Sequence, residues 1–308
     1  MLDYVLFASG LIVLVIGGDK LVASATRVAR RFGMSKLATG VVIVGLGTSL
    51  PELLTSVDAN LQGYPGAALG NVVGSNIANL LLVLGVGALW LPVAFHPRQG
   101  RRDIAWMLTT GALAVGIAHL AVIERWTGVL LLAALGAYLY SVLREPQAGE
   151  TVDVSADETA DNALPVDLAL VAVGIAALSG GAHVLVSGAM GIAAQLGISE
   201  TTTGIVLLAL GTSLPELTVT VVSLMRGNAE LAAGNVLGST LFNILGVLGV
   251  TALVAPIPVP AEVADTHIWV MAGAMVAFAV VARSSWRITR LEGALLTASY
   301  PVYLAFGL

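Results

Sequence analysis

Two acidic residues of this chain sit where a charge is hard to keep. Glu52 lies in GLGTSLPELLTS (45–56) and Glu216 in ALGTSLPELTVT (209–220), 164 residues apart. Each follows Thr-Ser-Leu-Pro inside an apolar run, and residues 41–57 carry no other charge. A local reading exists: Ser49 as N-cap, Pro51 in the first turn and Glu52 three residues on form a capping box. It does not account for the depth, because a carboxylate in the middle of an apolar span is costly and usually functional. Pro51 also lacks an N–H, so the Gly47 carbonyl is expected to lose its helical partner. Broken backbone at such depth is tolerated only against protein or a cavity.

Each break therefore offers carbonyls, hydroxyls and a carboxylate within one turn: Thr48, Ser49 and Glu52 in the first, Thr212, Ser213 and Glu216 in the second. Brought face to face, they make a doubly negative cage of hard oxygens, as Ca²⁺ requires, and no His or Cys competes for a softer metal. A second motif pair, GNVVGSNIAN (70–79) and GNVLGSTLFN (234–243), adds side-chain oxygens. Asn71, Ser75 and Asn79 recur every four residues and share a helix face, as do Asn235, Ser239 and Asn243. Ser75, Asn79, Ser239 and Asn243 are expected to ligate, whereas Asn71 and Asn235 serve equally well as interhelical glue. The Gly70/Gly74 and Gly234/Gly238 pairs have the small-xxx-small spacing of closely approaching helices.

The elements that must position these groups are membrane spans. The chain has 308 residues, is 57% hydrophobic and 11% charged, and lacks cysteine, which excludes an ordinary globular or disulfide-built protein. A bilayer core needs about 20 apolar residues per helix. Ten spans are expected near 2–29, 37–61, 65–93, 102–121, 126–144, 166–194, 202–225, 229–255, 267–284 and 290–306. The first has no basic leader and is expected to be retained. An acidic stretch at 145–164 divides five spans from five, giving repeats over 1–144 and 165–308 around a cytoplasmic linker. Slid by 164 residues, the chain matches itself at about half of positions 39–86, which marks an internal duplication.

Five is odd, so the second copy enters the membrane upside down. Loop charge follows: Arg30, Arg31 and Lys36 correspond to Ala194, Gln195 and Glu200, and Arg98 and Arg101 to Glu262 and Asp265. Twelve of the fourteen Lys and Arg fall on one side when the N-terminus is outside, so both termini are expected outside. The expected fold is an all-α integral membrane protein of ten helices, built as two inverted five-helix repeats with helices 2 and 7 interrupted at the midplane. That is the organisation of secondary transporters.

The paired GTSLPE and GN-x-x-GS motifs resemble the two alpha-repeats of the cation/calcium exchanger superfamily, above all its prokaryotic sodium/calcium exchangers. The resemblance implies that Glu52 and Glu216, with the Thr48 and Thr212 carbonyls, bind Ca²⁺. It implies Na⁺ sites from the Gly45 and Ala209 carbonyls and from Ser49, Ser75, Ser213 and Ser239, with Asn79 and Asn243 near the middle. Thr240 departs from the GSN pattern that Asn76 keeps. Potassium-dependent members carry Asp where this chain has Asn243, and proton-coupled ones tend to place a further Glu where it has Ser75 and Ser239.

The expected activity is Na⁺/Ca²⁺ antiport by alternating access across a prokaryotic plasma membrane, electrogenic if three Na⁺ replace one Ca²⁺. Sliding of the long Gly-rich first and sixth helices, implied by the same resemblance, would alternate the access. The rival reading is a Ca²⁺/H⁺ antiporter. No Ser/His pair, His-based metal motif or paired catalytic Asp points to an enzyme, and no cofactor, nucleic acid or obligatory protein partner is implied. His96, His119, His183 and His267 share no motif spacing and are expected to pack or face the surface. Asp3 and Asp167 fit helix-dipole capping, Asp58 lies on another face from Glu52, and the linker lacks an EF-hand pattern.

Overall fold

A computed structural model of the chain describes residues 1–144, 163–196 and 211–307. The linker up to residue 162, the start of the seventh span and the candidate ligand Ala209 lie outside the described residues. Helices appear where the apolar spans are expected. In chain order they are α1 (Leu2–Arg31), α2 (Lys36–Leu61), α3 (Pro65–Trp90), α4 (Pro97–Ala118), α5 (Arg125–Arg144), α6 (Leu164–Gln195), α7 (Leu214–Met225), α8 (Ala229–Val254), α9 (Val263–Ser285) and α10 (Arg290–Gly307). Seven of these, α1–α3, α5, α6, α8 and α9, are long and apolar enough to cross a membrane, and α7 is a shorter apolar helix. The protein is a multi-pass integral membrane protein. Helix α4 begins at Pro97 rather than near residue 102, carrying Arg98, Arg101 and Arg102 in its first turns. Proline at the first helical position lacks only an N–H that would have no partner there.

The interruption of α2 is narrower than the sequence suggests. A backbone N–H at the break turns to the Gly47 carbonyl, so that oxygen keeps a partner. Ser49 has φ −88° and ψ 4° and makes no side-chain cap; Ser213 has φ −90° and ψ 1° and makes none either. The capping box is thus not formed. Its N-cap needs an extended backbone to reach back to the first turn, and both serines occupy the bridge region instead.

Four stretches of wider π-type turn among the described residues are a feature the sequence does not announce: Val263–His267 in α9, Gly40–Gly45 in α2, Asn79–Val83 in α3 and Asn243–Val247 in α8. The last two begin at candidate ligands and lie 164 residues apart. Such bulges concentrate at functional sites, because an extra residue in the turn turns a side chain without breaking the helix.

Helices α3 and α8 form the middle of the molecule, with 78% and 83% of their apolar windows buried; α1 and α6 bury 33% and 28% and lie outermost. The N-terminal half of α2 crosses α8 at backbone contact. A Cβ at Gly40 would collide with the Leu231 carbonyl, and one at Gly234 with the Leu37 carbonyl. Gly70 and Gly74 make no such contact among the described residues; the segment that the repeat would set against them, 201–205, lies outside these. Two short antiparallel ladders stitch one half to the other. β1 (Val93–Ala94) pairs with β4 (Arg287–Ile288), and β2 (Val122–Ile123) with β3 (Ile257–Pro258).

Helices α1 and α6 pack along their length, with Gly10 and Gly181 in backbone contact. Asp167, fully buried, accepts from Arg27 Nε at 2.7 Å and lies 3.6 Å from Arg31. This exceeds dipole capping: two guanidiniums from α1 hold the first turn of α6. At the equivalent opposite end Asp3 accepts, among the described residues, only from Gln195, at 2.6 Å on the surface. Breaking a buried pair by removing one partner costs about 3–5 kcal/mol, against about 1 kcal/mol or less at the surface. Arg27→Gln should therefore lower the melting temperature of the purified protein by several degrees, while Asp3→Asn leaves it within about a degree. Equal shifts would mean that the Arg27 pair does not hold these helices together.

Candidate ion-binding site

Glu52 and Glu216 meet between the two broken helices. Both are wholly buried. Ser49, three residues before Glu52, donates to Glu216 Oε1 at 3.4 Å, joining positions 167 residues apart. The hydroxyl that failed to cap its own helix thus faces the other repeat's carboxylate.

Around the pair is a shell of oxygens. Ser239 Oγ donates to the Gly45 carbonyl at 3.2 Å and lies 3.2 Å from Thr48 Oγ1, which also donates to Asn235 Oδ1 at 3.3 Å. The approach at Gly45 is close: a Cβ there would stand 3.0 Å from the Ser239 nitrogen and 3.1 Å from the Asn235 carbonyl, so those neighbours would have to give by a few tenths of an ångström. Among the described residues several polar atoms have no hydrogen-bond partner: both oxygens of Glu52, Oε2 of Glu216, the hydroxyls of Ser75 and Ser213, and both amide atoms of Asn79 and Asn243. Buried polar groups are nearly always paired, and each orphan costs about 1–3 kcal/mol, more when charged. So many together, with carboxylates among them, is the arrangement a desolvated cation stabilises. Among the described residues no group of three His, Cys, Asp or Glu could hold a metal.

Asn71 and Asn235 act differently. Asn71 Nδ2 donates to the Glu52 carbonyl at 3.0 Å and to Ser56 Oγ at 2.9 Å; Asn235 Nδ2 donates to the Glu216 carbonyl at 3.2 Å and to Thr220 Oγ1 at 3.1 Å. They fix the turns that carry the carboxylates, the interhelical role considered above. Ser56 and Thr220 went unnoticed in the sequence, although they occupy equivalent places in the two motifs.

Thr212 is the partly exposed member of the set. It lines a cleft of about 240 Å³ with Pro51, Thr55, His183 and Pro215, reaching from the surface of α6 to the broken helices. Away from the cleft, Asp19 of α1 pairs with Arg226 at the end of α7. Asp58 is exposed and accepts from Gln62 at 2.6 Å. Among the histidines, His119 meets the Val115 carbonyl and His267 meets Tyr303, so neither joins the site.

The family described as sodium/calcium exchanger protein matches residues 2–144 and, separately, 166–308. The inner membrane protein YrbG of Escherichia coli is 32% identical, over 99% of this chain and 96% of its own. The sodium/calcium exchanger MaX1 of Methanosarcina acetivorans is 30% identical, over 98% and 97%. A solved structure of the sodium-calcium exchanger NCX_Mj, soaked with zero Na⁺ and Ca²⁺, superposes with a TM-score of 0.85 at 31% identity, covering 99% of this chain and 98% of that one. Matched once in each half and aligned end to end with these relatives, the chain belongs to the sodium/calcium exchanger protein family, a family of membrane transporters and not of enzymes.

Proposed function

We propose that this protein is a secondary antiporter that exchanges Na⁺ for Ca²⁺ across the plasma membrane of a prokaryote. One observation carries the reading: Glu52 and Glu216, one from each half, are buried together among hydroxyl and amide oxygens that lack partners among the described residues. The two carboxylates and the carbonyls of Thr48 and Thr212 bind Ca²⁺. Gly45, Ser49, Ser75, Asn79, Ala209, Ser213, Ser239 and Asn243 supply or share the Na⁺ sites. The ions are substrates, and the family implies no cofactor.

The chain crosses the membrane ten times as two inverted repeats, 1–144 and 165–308, joined by the cytoplasmic segment 145–164, with both termini outside. Loop charge supports this. The end where β1 meets β4 gathers Arg98, Arg101, Arg102, Arg283, Arg287 and Arg290, and the end where β2 meets β3 holds Glu124, Arg125, Glu262 and Asp265. Basic loops stay inside.

Exchange follows from electrostatics. Two unpaired carboxylates sealed from water cost several kcal/mol each, so the empty carrier resists closure. One Ca²⁺ or several Na⁺ cancel that charge and allow reorientation. With three Na⁺ per Ca²⁺, one net charge crosses per cycle, worth about 2.3 kcal/mol per 100 mV, and an inside-negative potential drives Ca²⁺ out. The outermost pair, α1 and α6, tied by Arg27 and Asp167, moves as a unit past α3 and α8. The cleft beside Pro51 and Pro215 is the outer access route, and the Asp19–Arg226 pair closes the inner side.

Glu52→Gln and Glu216→Gln keep the shape and remove the charge. Each should reduce Na⁺-driven Ca²⁺ flux in proteoliposomes by on the order of a hundredfold, because affinity at oxygen sites follows ligand charge. Near-normal flux in either variant would refute the site. Ca²⁺ flux that follows an imposed pH gradient and ignores Na⁺ would select proton coupling instead. Asn243→Asp adds a third carboxylate and should weaken Na⁺ coupling or make the flux K⁺-sensitive; an ion dependence identical to that of the parent would remove Asn243 from the site.

A further inference from the structure

The outer face of the α4/α9 pair is built unequally at its two ends. At the β1–β4 end, a recess of about 470 Å³ is lined by Arg101, Ile104, Ala105, Leu108 and Arg283. Both arginines are exposed, and no carboxylate lines the recess among the described residues. Arg101 lies over the Trp286 ring, its guanidinium carbon 5.6 Å from the centroid. Leu108 continues from this recess into an apolar groove of about 290 Å³ between the helices, past Gly111, Val115, Ala272 and Met275. From Arg101 to Val115 the helix rises about 20 Å, enough for one leaflet of a bilayer.

The repeat supplies an internal control. At the offset of 164, Arg101 corresponds to Asp265 and Arg283 to His119. At that end His119 meets Trp269 edge-on, ring centroids 6.0 Å apart. The groove is shared by both halves, and the paired guanidiniums occur at one end only.

We propose that this recess and groove hold an anionic phospholipid from the leaflet at the arginine-rich end, its phosphate between Arg101 and Arg283 and an acyl chain along Leu108 and Met275. Arginine bonds phosphate in a fork geometry, and basic pockets between membrane helices suit such headgroups. A soluble anion would leave the apolar groove unused, so the occupant is a lipid.

The test is native mass spectrometry of the delipidated full-length protein, offered dioleoylphosphatidylglycerol or dioleoylphosphatidylcholine in mixed micelles. At about 1 kcal/mol per arginine and 1.4 kcal/mol per tenfold, the parent should prefer phosphatidylglycerol by roughly thirtyfold at its tightest site. R101Q/R283Q should bring the preference within about threefold of unity, while R144Q, an exposed arginine stacked on Tyr140, should keep it. Building the missing pair at the other end with H119R/D265R should add a second retained phosphatidylglycerol, an outcome that does not depend on the loss variant being well folded. Undiminished preference in R101Q/R283Q, an equal loss in R144Q, no added lipid on H119R/D265R, or displacement of the lipid by inorganic phosphate would each overturn the proposal.

Discussion

Two like charges held together away from water set the terms for everything else in this molecule. Glu52 and Glu216 are fully buried beside one another, and no arrangement of neutral dipoles among the described residues satisfies them both. Such a pair persists in a fold only if the surroundings are stiff enough to hold it. Asn71 and Asn235 grip the backbone carbonyls of the two glutamates, Gly40 and Gly234 let α2 and α8 touch at the main chain, and the ladders at both ends join one repeat to the other. This framework keeps the two carboxyl groups where they are.

The stiffness is unevenly distributed. The centre is α3 and α8, surrounded on most sides by protein, and α1 with α6 lies outside with most of its surface turned to lipid. That pair is internally tight, through Gly10, Gly181 and the buried Asp167. A unit that is rigid within itself and lightly attached to a rigid core can translate without either part deforming, whereas packed interiors resist continuous distortion.

Much of this was legible because duplication prints the same physics twice. The two SLPE segments and the two GN motifs at one offset identified the glutamates, and the apolar spans located the helices within a few residues. What stayed hidden depends on partners far along the chain. Ser49 looks like a cap because its neighbours fit one; only the position of Glu216, 167 residues away, shows where its hydroxyl goes. Asp167 looks like a dipole partner until Arg27 and Arg31 come within reach. The π turns at Asn79 and Asn243 have no periodicity distinct from the helix they interrupt, and two-residue strands are too short to alternate. The extra helical turn before residue 102 was lost because arginines read as loop when composition alone is weighed.

The duplication repeats the two motifs and not the charges. Asp19 of α1 reaches Arg226 of α7, but the equivalent places in the other half hold His183 and Gln62, which form no ion pair. The outermost helices are thus tethered on one flank and loose on the other. With Asp19 and Arg226 both partly exposed, the tether contributes less than about 1 kcal/mol, yet a difference of that size divides two otherwise equal orientations by severalfold. If α1 and α6 move as one body, a single ion pair on one flank weights one of their positions over the other.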